Sequence, residues 1–284
     1  PRLVVMDEPT SALAPTEIHN LFRVVKTLRE QGVGIIYISH KLDEIFELAD
    51  RITVLRDGQF ISCVPAKDIS EQELITLMVG RKLEDMFGGI REHASCPDGP
   101  PALECAHLTT DTVKDISFHV CRGEIVGFSG LMGAGRTELA RGLFGFDKRS
   151  SGVVKVYGEE LTPGYMPASV RLGVGMIPES RKDEGIFPNF TVRQNLTISS
   201  LRQFSVRGRL SRQSERMKCE KIIQNLSIKT PGMEQLLVNL SGGNQQKVII
   251  GRWLAKENLR VLIVDEPARG IDVGAKAEIY TLLK

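Results

Sequence analysis

The feature that most constrains the fold of this chain is a segment that occurs twice. RLVVMDEPTSALAPTEIHNLFRVVK, which starts at Arg2, returns without a gap as RVLIVDEPARGIDVGAKAEIYTLLK, which starts at Arg260. Asp7 aligns with Asp265, and the distance between the copies is far longer than a solenoid unit. The repeat therefore predicts two copies of one domain, the first of which begins at its late part.

The sequence between the copies predicts a domain boundary. GGIREHASCPDGPPA, from residue 88 to residue 102, is rich in Gly and Pro and shows no apolar periodicity, which is typical of a linker. We therefore predict that residues 1–87 are the C-terminal part of a first domain and residues 88–101 a linker. Residues 102–284 are then a second domain that is cut at its C-terminal end.

Composition excludes several functional classes. The formal net charge is only +2, and acidic and basic residues alternate through most of the chain, which argues against nucleic acid as the main partner. The longest apolar runs are too short to cross a bilayer, so membrane association is expected to be through a partner. The five cysteines lack C-x-x-C spacing, which argues against a zinc site.

The second domain alternates strand-like and helix-like patterns. ALECAHLTT, VKDISFHV and GEIVGFSG have the pattern of strands, and the last leads into a glycine loop and the helical pattern TELARGLFG. The segment from Phe190 to Lys229 is mostly helical in pattern, and RVLIVD is a short buried strand. This order predicts an α/β domain with a largely parallel sheet.

The glycine loop has the spacing of a phosphate-binding loop with one substitution. Between Gly130 and Thr137 it follows G-x-x-x-x-G-K-[ST], but Arg136 stands in place of the lysine. Gly133 and Gly135 let backbone N–H groups turn toward a phosphate, and the next helix adds its positive end. The pattern favours nucleotide binding over the alternative, a plain tight turn.

Two further motifs indicate anion and metal chemistry. VLIVDEP delivers Asp265 to the end of a buried strand, where a carboxylate can hold hydrated Mg²⁺, and Glu266 can position or deprotonate a water. In LSGGNQQKV, Ser241 is expected to be a helix N-cap, and the following glycines leave the helix end bare for an anion. Two anion-binding helix ends in one domain are explained if the second serves a nucleotide held by another domain.

The P-loop, LSGG and Asp-Glu-Pro together resemble the ATP-binding cassette ATPases. The wording GLMGAGRTE, LSGGNQQK and DEPARGIDVGAK is similar to the tandem ATPase subunit of bacterial importers for ribose, galactose or xylose. The resemblance covers essentially the whole chain. It implies a P-loop NTPase fold of the cassette type, α/β, with a mostly parallel sheet, a helical subdomain and an N-terminal antiparallel β part.

The resemblance also implies functional residues and the ligands ATP and Mg²⁺. The implied catalytic residues are Glu266, Glu8 and the switch histidine His40, and the implied Mg²⁺ ligands are Thr137, Asp265 and Asp7. By the same resemblance, Glu179 falls at the position of the family's loop that senses Mg²⁺ and contacts the membrane subunit. The implied nucleotide-binding residues are Gly130, Leu131, Met132, Gly133, Ala134, Gly135, Arg136, Thr137, Glu138, Glu179, Ser241, Gly242 and Gly243.

The implied function is energy coupling in sugar uptake. The family pairs two cassettes, within one chain or as a dimer, and docks them on membrane permease subunits at the cytoplasmic face of the membrane. A periplasmic or extracellular sugar-binding protein is an indirect partner, and nucleic acid is not expected. Two alternatives stay open, namely a soluble cassette protein without a membrane partner and an inactive remnant of a truncated gene.

The repeat offset predicts little turnover by this chain alone. The P-loop and LSGG of the first cassette would precede Pro1, and the switch histidine of the second would follow Lys284. We expect weak nucleotide binding at the Arg136 loop and little or no phosphate release. Steady release that Glu266→Gln abolishes would contradict this expectation.

Overall fold

The structure is a computed structural model that describes residues 2–10, 13–39, 41–56, 58–80, 99–131, 133–206, 208–271 and 273–283. It contains two compact units. Unit 1 comprises Pro1–Gly88 and Asp272–Lys284, and unit 2 comprises Gly89–Ile271. The predicted boundaries at 1–87, 88–101 and 102–284 stay a prediction, since residues 88–98 of the linker lie outside the described residues.

Unit 1 begins with a parallel β-α-β element. Strand β1 (Leu3–Asp7), helix α1 (Pro15–Glu30) and strand β2 (Gly34–Ile38) follow in order, and β1 pairs with β2 from Leu3↔Gly34 to Asp7↔Ile38. Helix α2 (Leu42–Leu48) leads into an antiparallel hairpin of β3 (Arg51–Arg56) and β4 (Gln59–Pro65).

A small apolar core closes unit 1. The hairpin is followed by a 3₁₀ turn (Ala66–Asp68) and helix α3 (Glu71–Val79), which Ser70 caps by accepting from Glu73 N–H. Ile52, Val54 and Leu74 are buried where the hairpin meets α3. The last helix of the chain, Val273–Leu283, also belongs to this unit and packs against α3.

Unit 2 contains the antiparallel β part that the fold class includes. Strands β5 (Leu103–Thr109), β6 (Ile116–Val120), β7 (Ser151–Val156) and β8 (Glu159–Glu160) form one sheet in the order β6-β5-β7-β8. Leu108, Val154 and Val156 are fully buried on it. The strands predicted in ALECAHLTT and VKDISFHV are thereby present.

A second pair of strands in unit 2 is parallel. Helix α4 (Arg136–Phe144) follows the glycine loop, and helix α5 (Met166–Arg171) precedes strand β9 (Val174–Ile177). Strand β12 (Val261–Val264) pairs with β9 in parallel, from Val261↔Val174 to Val264↔Ile177. Both strands therefore deliver the residues that follow them to one edge.

The rest of unit 2 is largely helical. The elements are a π-helical turn (Arg181–Gly185), α6 (Val192–Thr197), a 3₁₀ turn (Leu201–Phe204), the short pair β10 (Ser205–Val206) and β11 (Arg209–Leu210), α7 (Arg212–Asn225), a 3₁₀ turn (Leu237–Asn239) and α8 (Gly242–Leu254). Trp253 of α8 donates from its indole N–H to the Met176 carbonyl oxygen (2.8 Å) and meets the Phe144 ring edge to face. Helix α8 thus packs on both β9 and α4.

One expected strand is not formed. The segment GEIVGFSG was expected to be a strand that feeds the glycine loop, but residues 124–130 have no ladder partner in the part of the chain that the structure describes. Ile125 is 67% exposed and Phe128 47% exposed. An alternating pattern favours an extended backbone, but a strand also requires a neighbour for its N–H and C=O groups.

No described helix is both long enough and apolar enough to span a membrane.

Candidate functional site

The glycine loop folds back on itself at the start of α4. Gly133 has a φ of +79° and Gly135 a φ of +88°. Residues other than glycine adopt this backbone conformation only rarely. A Cβ at Gly130 would lie 2.9 Å from the Cβ of Ala134. Leu131 is 86% exposed, and Met132 lies outside the described residues. The loop therefore requires glycine at several positions and leaves the first turn of α4 bare of side-chain caps.

The acidic turn after β12 lies at the carboxyl end of the parallel pair. Asp265 continues the ladder by donating its N–H to the Ile177 carbonyl oxygen (2.9 Å) and is 8% exposed. Its Oδ2 is buried and has no hydrogen-bond partner among the described residues. Glu266 has φ of +40°, and its counterpart Glu8 in unit 1 has φ of +44°. Both repeats thus hold the glutamate in the sparsely populated left-handed region.

One ion pair joins the start of α4 to this turn directly, and a hydrogen bond followed by a second ion pair joins them through Glu179. Arg136 Nη2 lies 2.9 Å from Glu266 Oε1, although 130 positions separate the two residues. Thr137 Oγ1 donates to Glu179 Oε2 (3.2 Å), and Glu179 also pairs with Arg269. The structure therefore brings together four residues that the sequence predicted for the site, and it adds Arg269. Glu138, the remaining predicted residue of this helix end, lies in the first turn of α4.

The LSGG segment forms the start of α8. Ser241 occupies the N-cap position, as expected, but its side chain makes no capping hydrogen bond to the helix backbone. Gly243 is buried, and a Cβ at Gly242 would lie 3.0 Å from an Arg181 guanidinium nitrogen. Arg181 donates from Nε to Gln245 Oε1 (3.1 Å), and burial lowers its pKa. A cation therefore lies beside the helix end where the sequence predicted an anion site.

The residues after LSGG have internal partners that sequence analysis missed. Gln245 Nε2 donates to the Leu240 carbonyl oxygen (2.9 Å) and also lies within hydrogen-bond distance of the carbonyl oxygens of Leu237 and Val238. Asn244 contacts the Ser241 hydroxyl. In the sequence, the NQQ motif indicated only a similarity to the ATPase subunits of sugar importers. The signal for a structural role was the presence of three polar residues so close to a helix end without a side-chain cap.

In unit 1 the acidic turn after β1 is tied to α2 through a buried glutamate. Glu44 Oε1 accepts from Thr10 Oγ1 (2.5 Å), and its Oε2 accepts from Tyr37 Oη (2.9 Å) and Ser39 Oγ (3.1 Å). Lys41 Nζ lies 3.2 Å from Glu44 Oε1. Ser39 and Lys41 flank His40, which lies outside the described residues. Asp7 and Glu8 precede Thr10, so Glu44 connects the acidic turn to Ser39 and Lys41, the residues on either side of His40.

The electrostatics of this glutamate follow from its contacts. Burial alone raises the pKa of Glu44, but the hydrogen bonds from Thr10, Tyr37, Lys41 and Ser39 outweigh it, so the pKa lies below its ordinary value of 4.5. Burial, followed by the contact with Glu44, raises the pKa of Tyr37, which keeps this phenol protonated as a donor. Glu44 is therefore a carboxylate held in its charged form.

Comparison with known proteins identifies the family. The family model described as ABC transporter matches residues 113–269, more than half of the chain. The chain belongs to the ABC transporter family. The resemblance to cassette ATPases of sugar importers is thereby confirmed at the level of the family.

Curated relatives of this ABC transporter chain are import proteins. It is 45% identical over 281 residues to the ribose import ATP-binding protein RbsA of Streptococcus agalactiae serotype III, a match that covers 99% of the chain and 56% of the relative. A putative ribose/galactose/methyl galactoside import ATP-binding protein of Geobacillus kaustophilus is 44% identical, with 99% and 55% covered. The chain thus spans little more than half the length of these relatives.

Solved structures support the ABC cassette fold. The ATP-binding cassette MJ0796, a dimer bound to ADP and Pi, superposes with a TM-score of 0.53 at 20% identity and covers 63% of this chain and 81% of that one. The cassette MJ1267 gives 0.52 at 23% identity, with 65% and 76% covered. The predicted fold class is confirmed.

The contacts of Glu44 predict a dependence of unit 1 on pH. Because the folded-state pKa is depressed, the stabilisation is fully present above pH 4.5 and is lost as the pH falls through the folded value. Glu44→Gln is expected to lower the stability of unit 1 by about 1–3 kcal/mol at neutral pH. Below pH 4.5, the stability of this variant is expected to depend less on pH than that of the unaltered chain. Hydrogen exchange of β1 and α2, corrected for intrinsic rates, measures this.

The matched control is Glu47→Gln, on the same helix but with a side chain 48% exposed and paired with Lys26. Its effect on stability is expected to be small. Parallel loss of protection in the unaltered chain and in Glu44→Gln between pH 5 and pH 3 would contradict the assignment.

Proposed function

We propose that this chain is part of the ATP-hydrolysing subunit that drives import of a monosaccharide, ribose or a related sugar. The contact between Arg136 and Glu266 carries the proposal. At 2.9 Å it joins the P-loop to the glutamate of the Asp-Glu-Pro motif that follows β12. The named import functions of its relatives support the same assignment. Fold alone does not establish an activity, whereas a contact between residues of the site bears on the chemistry directly.

The P-loop side of the site is suited to a triphosphate. The bare first turn of α4 presents backbone N–H groups and the positive end of the helix. Arg136 adds a fixed charge and a planar donor fork, which can bind phosphate oxygens but differs in shape from a lysine. We assign the binding of ATP to Gly130 and Leu131, to residues 133–138 and to Glu179, with Met132 included from the sequence.

The residues present also fit Mg²⁺. The unpartnered buried Oδ2 of Asp265 is an oxygen donor without a role in the described structure, and Thr137 offers a hydroxyl at the start of α4. Magnesium favours one or two protein oxygens together with phosphate oxygens and water. Bound there, Mg²⁺ would neutralise charge that develops on the phosphates. Asp7 is assigned the same role in the other repeat.

Glu266 is assigned the role of orienting or deprotonating the attacking water. In the structure its Oε1 is engaged by Arg136, so the two charges neutralise each other. Phosphate oxygens that bind Arg136 would compete with Glu266 for the guanidinium. The carboxylate would then become available to a water. Glu8 and His40 are assigned to the corresponding positions of the first repeat.

The bare end of α8 is assigned to a nucleotide held by a second cassette. Ser241, Gly242 and Gly243 present a hydroxyl and backbone N–H groups, and Arg181 adds positive charge nearby. Such donors stabilise charge on a terminal phosphate. The arrangement supports pairing of cassettes, within one chain or as a dimer.

An exposed aromatic pair is proposed as the contact with permease subunits at the cytoplasmic face of the membrane. Phe187 and Phe190 stack with their ring centres 5.4 Å apart and remain 42% and 39% exposed. Asn195 fixes the loop that carries them, because Oδ1 accepts from Phe187 N–H (3.0 Å) and Nδ2 lies within hydrogen-bond distance of the carbonyl oxygens of Phe187 (3.0 Å) and Phe190 (3.2 Å). The pair follows Glu179 closely in sequence. A sugar-binding protein would act on the permease and reach this chain only indirectly.

Substitution of Glu266 tests the nucleotide site. Glu266→Gln in the assembled transporter is expected to lower ATP hydrolysis by about 10²-fold or more, since the base is removed. A non-hydrolysable ATP analogue should bind about two- to fivefold more tightly, because Arg136 is released from an exposed ion pair. Phosphate release and titration calorimetry measure the two effects.

Glu184→Gln provides the control for this test, because Glu184 pairs with Arg141 on the surface at 3.4 Å. Neither hydrolysis nor analogue binding should change in this variant. Unchanged hydrolysis in Glu266→Gln would refute the assigned role.

Removal of the aromatic pair tests the membrane contact. The double variant Phe187→Ala, Phe190→Ala is expected to lower binding to permease-containing vesicles about tenfold while nucleotide binding persists, since aromatic anchors dominate interfaces of this kind. Phe60→Ala, in unit 1 and 65% exposed, is the control. Undiminished co-sedimentation of the double variant would exclude this surface as the docking face.

A further inference from the structure

Ser241 occupies the N-cap position of α8 without acting as a cap. A serine there ordinarily accepts from the N–H of the second or third helical residue. In this structure no side-chain capping bond is made, and the first intrahelical bond runs from Gln245 N–H to the Ser241 carbonyl oxygen (2.9 Å). The N–H groups of Gly242, Gly243 and Asn244 therefore receive no cap from the Ser241 side chain.

The Ser241 hydroxyl is instead hydrogen-bonded to the side chain of Asn244. Its Nδ2 donates to Ser241 Oγ at 2.8 Å, and its Oδ1 accepts from Lys229 N–H at 2.8 Å. A backbone N–H can only donate, so the amide oxygen of Asn244 must face Lys229 and the amide nitrogen must face Ser241. The orientation of the amide is therefore determined by the backbone of the loop before α8.

The orientation of the Asn244 amide determines where the proton of the Ser241 hydroxyl can be donated. Since Ser241 Oγ accepts from Asn244, its own O–H cannot be donated to that side chain. The proton remains available to an acceptor outside the helix, and the first-turn N–H groups remain available with it. Asn244 occupies the third helical position, where a capping box has a Glu or Gln that accepts from the N-cap backbone. Here the third residue donates to the N-cap side chain.

We propose that Asn244 is a positioning residue that keeps Ser241 from capping its own helix and directs its hydroxyl proton to the terminal phosphate of a nucleotide held by the opposing cassette. The inference rests on the proposed function of this helix end. It adds that the uncapped state of α8 is imposed by a specific side chain and is not a result of the adjacent glycines alone.

Hydrogen exchange tests the local part without requiring any activity. In Asn244→Ala the hydroxyl is free to cap the helix, so the amide of residue 244 should exchange about fivefold more slowly than in the unaltered chain. In the double variant Ser241→Ala, Asn244→Ala this slowing should disappear. A purely structural role for Asn244 would give faster exchange in Asn244→Ala, and that result, or an unchanged rate, would overturn the inference.

Reversal of the polarity tests the functional part. In Asn244→Asp both carboxylate oxygens accept, so Lys229 N–H and the Ser241 hydroxyl can both donate inward. In the assembled transporter, kcat for ATP hydrolysis should fall about tenfold while KM for ATP stays within about twofold, because the P-loop of the other cassette holds the nucleotide. Asn239→Asp adds the same charge two residues before Ser241 and is expected to retain kcat within about twofold.

A double-substitution cycle separates the hydroxyl from other effects. If Asn244 acts through Ser241, Asn244→Ala should lower kcat in the unaltered protein and have no further effect in a Ser241→Ala background. Additive losses would overturn the inference, as would an Asn244→Asp variant that hydrolyses ATP normally. Absence of hydrolysis in the unaltered transporter would instead refute the proposed function, and the exchange experiment would still decide the role of Asn244.

Discussion

A positive charge buried inside unit 2 organises the elements around it. Arg252 of α8 is 8% exposed and donates to the carbonyl oxygens of Gly185 and Asn195 and to the Asn195 side chain. Burial lowers its pKa to about 10, so the guanidinium remains charged at neutral pH. A buried cation requires such oxygens, because an unpaired charge is costly to desolvate. One side chain therefore fixes α8, the π-helical turn and α6 relative to each other, and with them the loop of Phe187.

The sequence predicted the elements whose signals are local. The glycine loop, the strand before Asp265 and the helix after LSGG each carry their pattern within a few residues, and all three are present. The segment 124–130 failed as a strand because pairing depends on a neighbour that its own pattern does not specify. The partners of Asn244 and Glu44 were missed for a similar reason, since they lie up to 34 positions away.

The two repeats share backbone conformation as well as sequence. Glu8 and Glu266 both have positive φ, although the residues after the proline that follows each of them differ, TSALAP in one copy and ARGIDV in the other. A glutamate gains nothing locally from this conformation, so the surrounding structure must impose it. In unit 1 Glu44 holds Thr10 two residues on, whereas in unit 2 the pair of Arg269 with Glu179 anchors the turn. The same conformation thus occurs in turns that make different contacts.

The packing of Trp253 also makes the protein convenient to observe. It is the sole tryptophan of the chain, and its indole touches Phe144 at the end of the P-loop helix and hydrogen-bonds to β9. Unit 1 contains no such fluorophore, so intrinsic emission excited at the tryptophan band originates in unit 2. A shift of α8 relative to α4 or β9 would change the polarity and quenching around one indole, and the unlabelled chain would report that movement optically.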